Sequence, residues 1–303
     1  MIRTQKARGA DRFSFADLII YAFFITFCVF GFVIPLLFIV SVSFTNEDSL
    51  ILDGFKLIPE KLDFTAYEYI FSNPGSLIDA YTVTALQAFA GTLLGLLFMS
   101  MCAYSLSRPN FKARKAVSFY LFFTLIFSGG LIPTYILMTQ YLNLGNSFWV
   151  YIFHPWLVYA FYVIIIRTFF QGLPPSLAES AKVDGAGEIR IFFQIVLPIS
   201  KPVLATVALL TLLDRWNNWF TTFLFISDMK LYTLQFLLQK ILLDAQTFQA
   251  MMENAPPGIV APKIPTESLR YAMCIVAAGP MLFVFPFFQK YFTKGLTVGA
   301  VKG

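Results

Sequence analysis

Residues 173–188 read Leu-Pro-Pro-Ser-Leu-Ala-Glu-Ser-Ala-Lys-Val-Asp-Gly-Ala-Gly-Glu and separate two long apolar regions of the chain. Pro174 and Pro175 end any preceding helix, because a proline ring disfavours the helical conformation of the residue before it. Ser176, with Glu179 three positions later, has the pattern of a capping box, in which both side chains bind free amides at a helix start. The pattern predicts a new helix that begins directly after Ser176.

A turn and a second short helix are predicted next. The sequence Asp184-Gly185-Ala186-Gly187 is a strong turn signal, so the first helix should be short. The second helix is expected from Glu188 to Val196, since the apolar side chains between them recur on one helical face, and Pro198 should end it. By their local physics alone, these helices could anchor in a groove on another protein or lie at the membrane surface.

The composition of the whole chain points to lipid as its main solvent. Of 303 residues, 58% are hydrophobic, 18% aromatic and 13% charged, and the mean hydropathy is +0.71. Soluble domains are about 45–50% apolar and about 25% charged. So few charges exclude an ordinary cytosolic enzyme and a disordered chain, and the net charge of +5 needs no nucleic-acid partner because positive residues collect in cytoplasmic loops.

Six stretches are long and apolar enough to cross a bilayer, which takes about 20 residues as a helix. The predicted spans are residues 18–43, 81–106, 116–139, 149–166, 203–226 and 269–291. The expected fold is therefore all-α: a polytopic membrane helical bundle formed by a single domain, residues 1–303.

The loop charges predict that both termini lie inside. Fifteen Lys and Arg residues fall in the N-terminal segment, the loops after the second and fourth spans, and the C-terminal tail. Five fall in the opposite loops, and basic residues favour the cytoplasmic side. The outer loops, 45–80 and 228–268, are then available to an extracytoplasmic partner.

The stretch after the fourth span resembles the EAA loop of binding-protein-dependent ABC importer permeases. The resemblance rests on Glu179-Ser180-Ala181, Asp184-Gly185-Ala186 and Ile195-Val196-Leu197-Pro198 at the family's spacing, with Ser180 where the family usually has alanine. Residues 292–303 are similar to the glycine-rich tail of the carbohydrate-uptake branch, in particular of its oligosaccharide importers.

This resemblance implies a type I ABC importer permease fold in which loop 172–200 carries the coupling helix. Glu179 would orient or pair at the ATPase, Ala181 would allow close approach, and Gly185 would form the turn. The residues implied at this interface are Glu179, Ser180, Ala181, Asp184, Gly185 and Ala186.

The resemblance also implies the partners and the cellular location. They are a second homologous permease, two cytoplasmic ABC ATPase subunits, an extracytoplasmic solute-binding protein and a carbohydrate, in a bacterial cytoplasmic membrane crossed several times. The chain has no Gly-x-x-x-x-Gly-Lys sequence, so it should bind no cofactor, and ATP and Mg²⁺ would be held by the partner ATPases. It is therefore expected to be a non-catalytic transport subunit.

Polar residues within the fifth span suggest a translocation path. Thr211, Asp214, Asn218 and Thr221 share one helical stripe, and polar groups at membrane depth usually face a cavity or the bundle interior. The aromatic rings there could stack on sugars. The path candidates are Asp214, Trp216, Asn217, Asn218 and Thr221. The alternative is that an Asp214–Arg215 pair and the asparagines hold helices together.

Other functions have weaker support. An ion-driven secondary transporter usually shows inverted repeats and midplane ionisable clusters, and Asp214 is a lone candidate. A membrane scaffold without transport activity is a third possibility. His154, the only histidine, has no second ligand at suitable spacing, so we expect no metal site and a hydrogen-bonded interior role.

Overall fold

The computed structural model describes residues 15–154, 157–253 and 264–300. Every regular element in these ranges is helical, and the β-bridge found there joins Thr45 to Leu62. The all-α prediction is confirmed. The basic residues at positions 3–12 and the loop residues 254–263, both used in the sequence predictions, lie outside this part of the chain.

The first half of the described chain contains nine α-helical segments, interrupted by π-helical turns at Val29–Val33 and Leu137–Tyr141. They are α1 (Phe15–Cys28), α2 (Ile34–Ser43), α3 (Glu47–Asp53), α4 (Thr65–Phe71), α5 (Pro74–Ser107), α6 (Arg114–Ile126), α7 (Leu131–Ile136), α8 (Trp149–Phe153) and α9 (Ala160–Gln171).

The described second half has a further π-helical turn at Phe192–Val196 and a 3₁₀ turn at Met229–Leu231. Its α-helices are α10 (Pro175–Val183), α11 (Glu188–Ile191), α12 (Leu197–Ile199), α13 (Lys201–Trp216), α14 (Phe220–Phe225), α15 (Leu234–Glu253) and α16 (Thr266–Ala300).

Three long apolar helices agree with predicted spans. They cover Asp17–Ser43, Pro74–Ser107 and Thr266–Gln289, and each exceeds the length that a bilayer requires. Two bent helix pairs in the described residues would bring the number of candidate spans to at most five, if each pair counts as one span. The first, second and sixth predicted spans are thus helices of sufficient length.

The third predicted span, 116–139, is not one straight helix. Its two parts, Arg114–Ile126 and Leu131–Tyr141, meet at an angle of 115°. The break lies at Gly130, whose φ of +89° is a backbone conformation that side chains with a Cβ rarely adopt.

The fourth and fifth predicted spans, 149–166 and 203–226, are also interrupted rather than continuous helices. In the fourth, α8 ends at Phe153 and His154 is extended, as residues before proline tend to be. In the fifth, α13 ends at Trp216 and α14 starts at Phe220. The side-chain amide of Asn217 donates to the carbonyl of Leu213 at 2.8 Å, which caps the end of α13.

Helix α15 was not predicted. It runs for 20 residues within what the sequence marks as an outer loop. Its sequence is too polar for a membrane span, so a search for apolar spans does not find it. An amphipathic helix outside a membrane needs only one apolar face.

Where the sequence predicts a single domain, the contacts divide the described residues into two compact units. The first unit comprises residues 15–70, 248–253 and 264–275, and the second comprises residues 71–154, 157–247 and 276–300.

The first unit is held by a carboxylate at a helix start. Glu47 is 7% exposed, and its oxygens accept hydrogen bonds from the amides of Glu267 and Ser268 at 2.9 and 3.0 Å. The hydroxyl of Ser268 donates to the same carboxylate at 3.1 Å. These amides belong to the first turn of α16, where free N–H groups and the helix dipole favour a negative charge.

The second unit is centred on α5, which packs against α9 and α13. The core contains fully buried side chains from all three helices, including Met99, Val163, Ile166 and Val207. Side chains of the segment after the fourth span, such as Ile191 and Phe192, join the same core. That segment is therefore part of the packed unit, which determines which of its residues remain exposed.

Candidate functional site

Helix α10 starts at Pro175, two residues earlier than predicted, and the capping box is not formed. Pro174 is the N-cap residue and no side chain caps the helix start. Ser176 lies inside the helix, where its carbonyl accepts a bond from the hydroxyl of Ser180 at 2.6 Å. The reason is that Pro175 occupies the first helical position, for which its fixed φ and missing amide proton are well suited.

The end of α10 confirms the predicted turn. Gly185 has a φ of +79°, and its amide donates to the carbonyl of Lys182 at 3.0 Å. The amide of Ala186 donates to the carbonyl of Ala181 at 2.8 Å. This pair of bonds is a Schellman motif, which requires a left-handed residue, usually glycine, after the helix.

The second helix of the segment is longer than predicted. It starts at Glu188 as expected but continues through a π-helical turn and past Pro198 to Ile199. The helical run from Glu188 to Ile199 then meets α13 at 80°. Pro198 therefore does not end it, since the widened turn before the proline accommodates its ring.

The two faces of α10 have different surroundings. Ala178 and Ala181 are each 8% exposed and pack into the core of their own unit. Glu179, Ser180 and Asp184 are exposed on the other side. The small size of Ala181 therefore serves the packing of α10 on its own bundle, and the close approach to an ATPase implied by the family resemblance stays a prediction.

Two apolar side chains of this segment are strongly exposed. Val183 at the end of α10 is 88% exposed and Ile189 on α11 is 77% exposed. Both lie beside the turn at Gly185, near the exposed carboxylates of Glu179 and Asp184 along the chain. The sequence predictions name neither residue as part of the interface.

Glu188 links three elements at the inner end of this segment. One carboxylate oxygen lies 2.6 Å from the ammonium group of Lys182 on α10. The other accepts a hydrogen bond of 2.6 Å from the hydroxyl of Tyr104 on α5. Arg108, at the end of α5, donates to the same hydroxyl at 2.7 Å, and its guanidinium lies 4.4 Å from the ring centre.

These contacts lower the pKa of Glu188 from its ordinary value. The main cause is the hydrogen-bonded ion pair with Lys182, followed by the bond from Tyr104 and the nearby charge of Arg108. Positive groups and donors stabilise the ionised carboxylate, so Glu188 keeps its charge under mildly acidic conditions.

The path candidates of the fifth span separate into an exposed and a buried group. Asp214 is exposed and accepts a hydrogen bond from the hydroxyl of Tyr159 at 3.3 Å. Asn217 is exposed and accepts one from Gln235 at 3.4 Å. Asn218 is half-buried, with its side-chain oxygen bound to the amide of Thr221.

Trp216 and Thr221 belong to the buried group. Trp216 is 4% exposed, and its indole N–H donates to the carbonyl of Ala277 at 3.0 Å. Thr221 is 1% exposed and lies 3.1 Å from Nδ1 of His154. These side chains join elements of the bundle, so neither offers a surface to a passing solute, and His154 has the interior role expected of it.

Arg215 is also buried and holds three helices together. It is 1% exposed, and its Nη1 donates to the carbonyl of Tyr151 on α8 at 2.8 Å. The carbonyl of Arg215 itself accepts a bond of 2.8 Å from Gln87 on α5. Gly91, one turn further along α5, provides the space for the guanidinium. Asp214 and Arg215 thus make separate contacts, as neighbours on a helix point in different directions.

A chain of hydroxyl groups continues from Tyr151. Its hydroxyl donates to the carbonyl of Leu231 at 2.6 Å and lies 2.9 Å from the hydroxyl of Thr222. Thr222 in turn lies 2.7 Å from Thr233. The amide of Leu234 donates to Thr84 on α5 at 2.8 Å, which fixes the start of α15. Buried polar groups of this kind are nearly always paired, and here they determine how the helices meet.

The helical bundle and the exposed loop segment define a class of membrane transport component. Residues 90–298 match the family model described as the binding-protein-dependent transport system inner membrane component. The chain belongs to this family, which confirms the family resemblance of residues 179–198.

Two curated proteins of Bacillus subtilis (strain 168) are similar along most of their length. The polygalacturonan/rhamnogalacturonan transport system permease protein YtcP is 36% identical over 287 residues, which cover 95% of this chain and 98% of that protein. Protein LplC is 37% identical over 274 residues, which cover 89% of this chain and 90% of that protein.

A solved structure has the same fold. It is one chain of a bacterial ABC transporter involved in the import of the acidic polysaccharide alginate. The TM-score is 0.77 at 26% identity, and the alignment covers 93% of this chain and all of the other.

Proposed function

We propose that this chain is the transmembrane permease subunit of an ATP-driven ABC importer for a carbohydrate, in particular an oligosaccharide. Membership of the binding-protein-dependent family supports the transport role. The similarity to YtcP over nearly the whole of both chains supports a carbohydrate as the cargo.

ATP hydrolysis is assigned to two separate cytoplasmic ATPase subunits, which would hold ATP and Mg²⁺. The observation that carries this assignment is the exposed face of α10 and its turn. There, Val183 at the end of α10 is 88% exposed, and the exposed residues Glu179 and Asp184 lie near it along the chain. An apolar centre with a charged rim is the usual composition of a protein interface.

The remaining partners follow from the family. A second, homologous permease would complete the bundle, and an extracytoplasmic solute-binding protein would deliver the cargo to outer segments that include α3, α4 and α15. This placement requires the inside location of both termini that the loop charges predict.

The proposed path across the membrane includes the exposed polar residues near the break after α13. Asp214 and Asn217, together with the half-buried Gln235, offer hydrogen-bonding groups, and Trp219 is 44% exposed. Trp219 therefore replaces Trp216 as the aromatic surface available to a sugar ring, since Trp216 is buried. A sugar presents hydroxyl groups and one apolar face, and this surface provides partners for both.

Uptake into sealed vesicles that contain the complex, its binding protein and internal ATP tests the proposal. The probes are labelled fragments of polygalacturonan, rhamnogalacturonan and alginate, with malto-oligosaccharides as neutral sugars. We expect uptake of at least one probe that requires both ATP and the binding protein. Uptake that follows a proton or sodium gradient without ATP would instead establish a secondary transporter.

A further inference from the structure

Glu188 stands between the proposed docking helix and the longest helix of the second unit. Its carboxylate binds Lys182 on α10 through one oxygen and Tyr104 on α5 through the other, both at 2.6 Å. Arg108 donates to the Tyr104 hydroxyl at 2.7 Å, and its Nε lies 3.9 Å from the Glu188 oxygen that binds Tyr104. A displacement of α10 therefore acts directly on the end of α5 through charge-assisted bonds, which are the stronger kind of hydrogen bond.

The other end of α10 has a looser connection to α5. A cleft lies there, lined by residues of both helices that include Pro175, Leu177 and Ala178 on one side and Tyr104 and Ser107 on the other. Close packing transmits displacement, whereas an open cleft absorbs it. The polar link at Glu188 is thus a directional connection between these two helices, beside the apolar packing of Ala178 and Ala181 in the shared core.

Because α5 contacts several other helices, a movement transmitted through Glu188 to α5 would reach those helices too. Helix α5 packs against both α9 and α13, and it holds Arg215 through Gln87 and Gly91. A shift of α5 would move the helix that carries Asp214, which belongs to the proposed path. When two helices are each rigid, a polar link between them can make them move together.

We infer that Glu188 is a positioning residue that transmits movement of the ATPase-bound helix α10 to the membrane-spanning helix α5. This inference rests on the proposed function, because it assumes that an ATPase binds α10. In this inference Glu188 does not bind the ATPase. It transfers a displacement of the docked helix α10 to α5.

The test measures movement of α5 in the full importer complex. A spin label is placed at Leu93→Cys, an α5 position that is 70% exposed, with Cys28, Cys102 and Cys274 replaced by serine. The spectrum is compared before and after the addition of MgATP with vanadate. In the same samples, the amount of ATPase that co-purifies with the permease is measured.

We expect Glu188→Gln to retain the ATPase but to reduce the nucleotide-dependent spectral change about fivefold, at the lower end of usual coupling effects. Lys182→Met should do the same, and Lys182→Arg should restore the change because it restores the ion pair. Arg190→Gln is the matched control, since Arg190 is an exposed charged neighbour whose Nε donates to Gln194 on its own helical run.

Each other result contradicts the inference. A full spectral change in Glu188→Gln and Lys182→Met would show that the link is not needed. Loss of the ATPase from Glu188→Gln would make Glu188 a docking residue instead. If the proposed function itself is wrong, the unsubstituted chain will recover no ATPase at all. That result distinguishes failure of the proposed function from failure of this inference.

Discussion

Gly91 on α5 lies directly beneath the guanidinium of Arg215 on α13. A Cβ atom built at position 91 would lie 2.4 Å from Nη1 and 2.6 Å from Cζ of that side chain. Arg215 cannot easily move aside, because it is 1% exposed and bound to the carbonyl of Tyr151. This contact sets how closely α5 and α13 approach each other.

Gly91→Ala should therefore destabilise the protein. Overpacking of a filled interior usually costs about 1–3 kcal/mol, and here it would also displace a buried hydrogen bond. Thermal unfolding in detergent should show a lower midpoint. Gly279→Ala in α16 is the control, because a Cβ there meets nothing within 4 Å and alanine favours helix. Equal midpoints for the two variants would refute the packing role of Gly91.

The two neighbouring tryptophans should respond differently to substitution. Trp216→Ala removes a buried side chain and its bond to Ala277, so it should destabilise by about 3–5 kcal/mol and lower the yield of folded protein. Trp219→Ala should leave folding intact and reduce sugar uptake. Melting curves and vesicle uptake separate the two effects. Normal uptake in a well-folded Trp219→Ala protein would remove Trp219 from the proposed path.

The turn after α10 offers a matched pair of glycines. Gly185→Ala forces a Cβ into a φ of +79°, at a cost of about 1–2 kcal/mol, and should weaken ATPase recovery because it distorts the docking surface. Gly187→Ala should have little effect, since its φ is −73° and its surroundings are open. Pull-down of the ATPase with each variant gives the comparison. Unchanged recovery with Gly185→Ala would argue against docking at this turn.

The exposed apolar residue at the end of α10 gives a more direct test of docking. Val183→Asp should abolish ATPase co-purification without changing the melting temperature, because the side chain contacts little of its own chain. Arg190→Gln, on the neighbouring helix α11, is the control because it changes an exposed charge and leaves Val183 in place. ATPase retained at the normal ratio by Val183→Asp would place the interface elsewhere.

Glu188 should titrate below the ordinary glutamate value of 4.5. Because its pKa is lowered in the folded protein, the link to Lys182 is fully present above the ordinary value and is lost as the pH falls through the lowered one. Carbon-13 NMR of labelled glutamate in Lys182→Met should show a higher pKa, since the main cause of the shift is removed. Equal values with and without Lys182 would disprove the ion pair.

The carboxylate of Glu47 provides a test in the first unit. Glu47→Ala leaves the first turn of α16 without its acceptor and should cost about 1–2 kcal/mol, as the loss of a helix cap usually does. Glu47→Asp is a shorter acid and should recover part of the stability. Chemical denaturation of both variants measures the difference, and equal stability of Glu47→Ala and the unsubstituted protein would contradict the cap.

Local patterns in the sequence predicted the turn at Gly185 and the helical class, because each depends on neighbouring residues. The apolar stretches likewise predicted where long helices run. Helix breaks were harder to see. Gly130 and the residues after Trp216 interrupt spans that remain apolar throughout, so hydropathy alone does not reveal them.

The sequence by itself determined that this is an all-helical membrane protein with an exposed family loop after its fourth apolar stretch, since composition and short-range spacing carry that information. Only the tertiary structure decided which polar residues face outward. Arg215 and Trp216 are buried while Asp214 beside them is exposed, because the partners of the buried pair come from Tyr151 and Ala277, far away in the chain. The spacing of residues along a helix shows which side chains share a face. Only the neighbouring helices determine whether that face is buried or exposed.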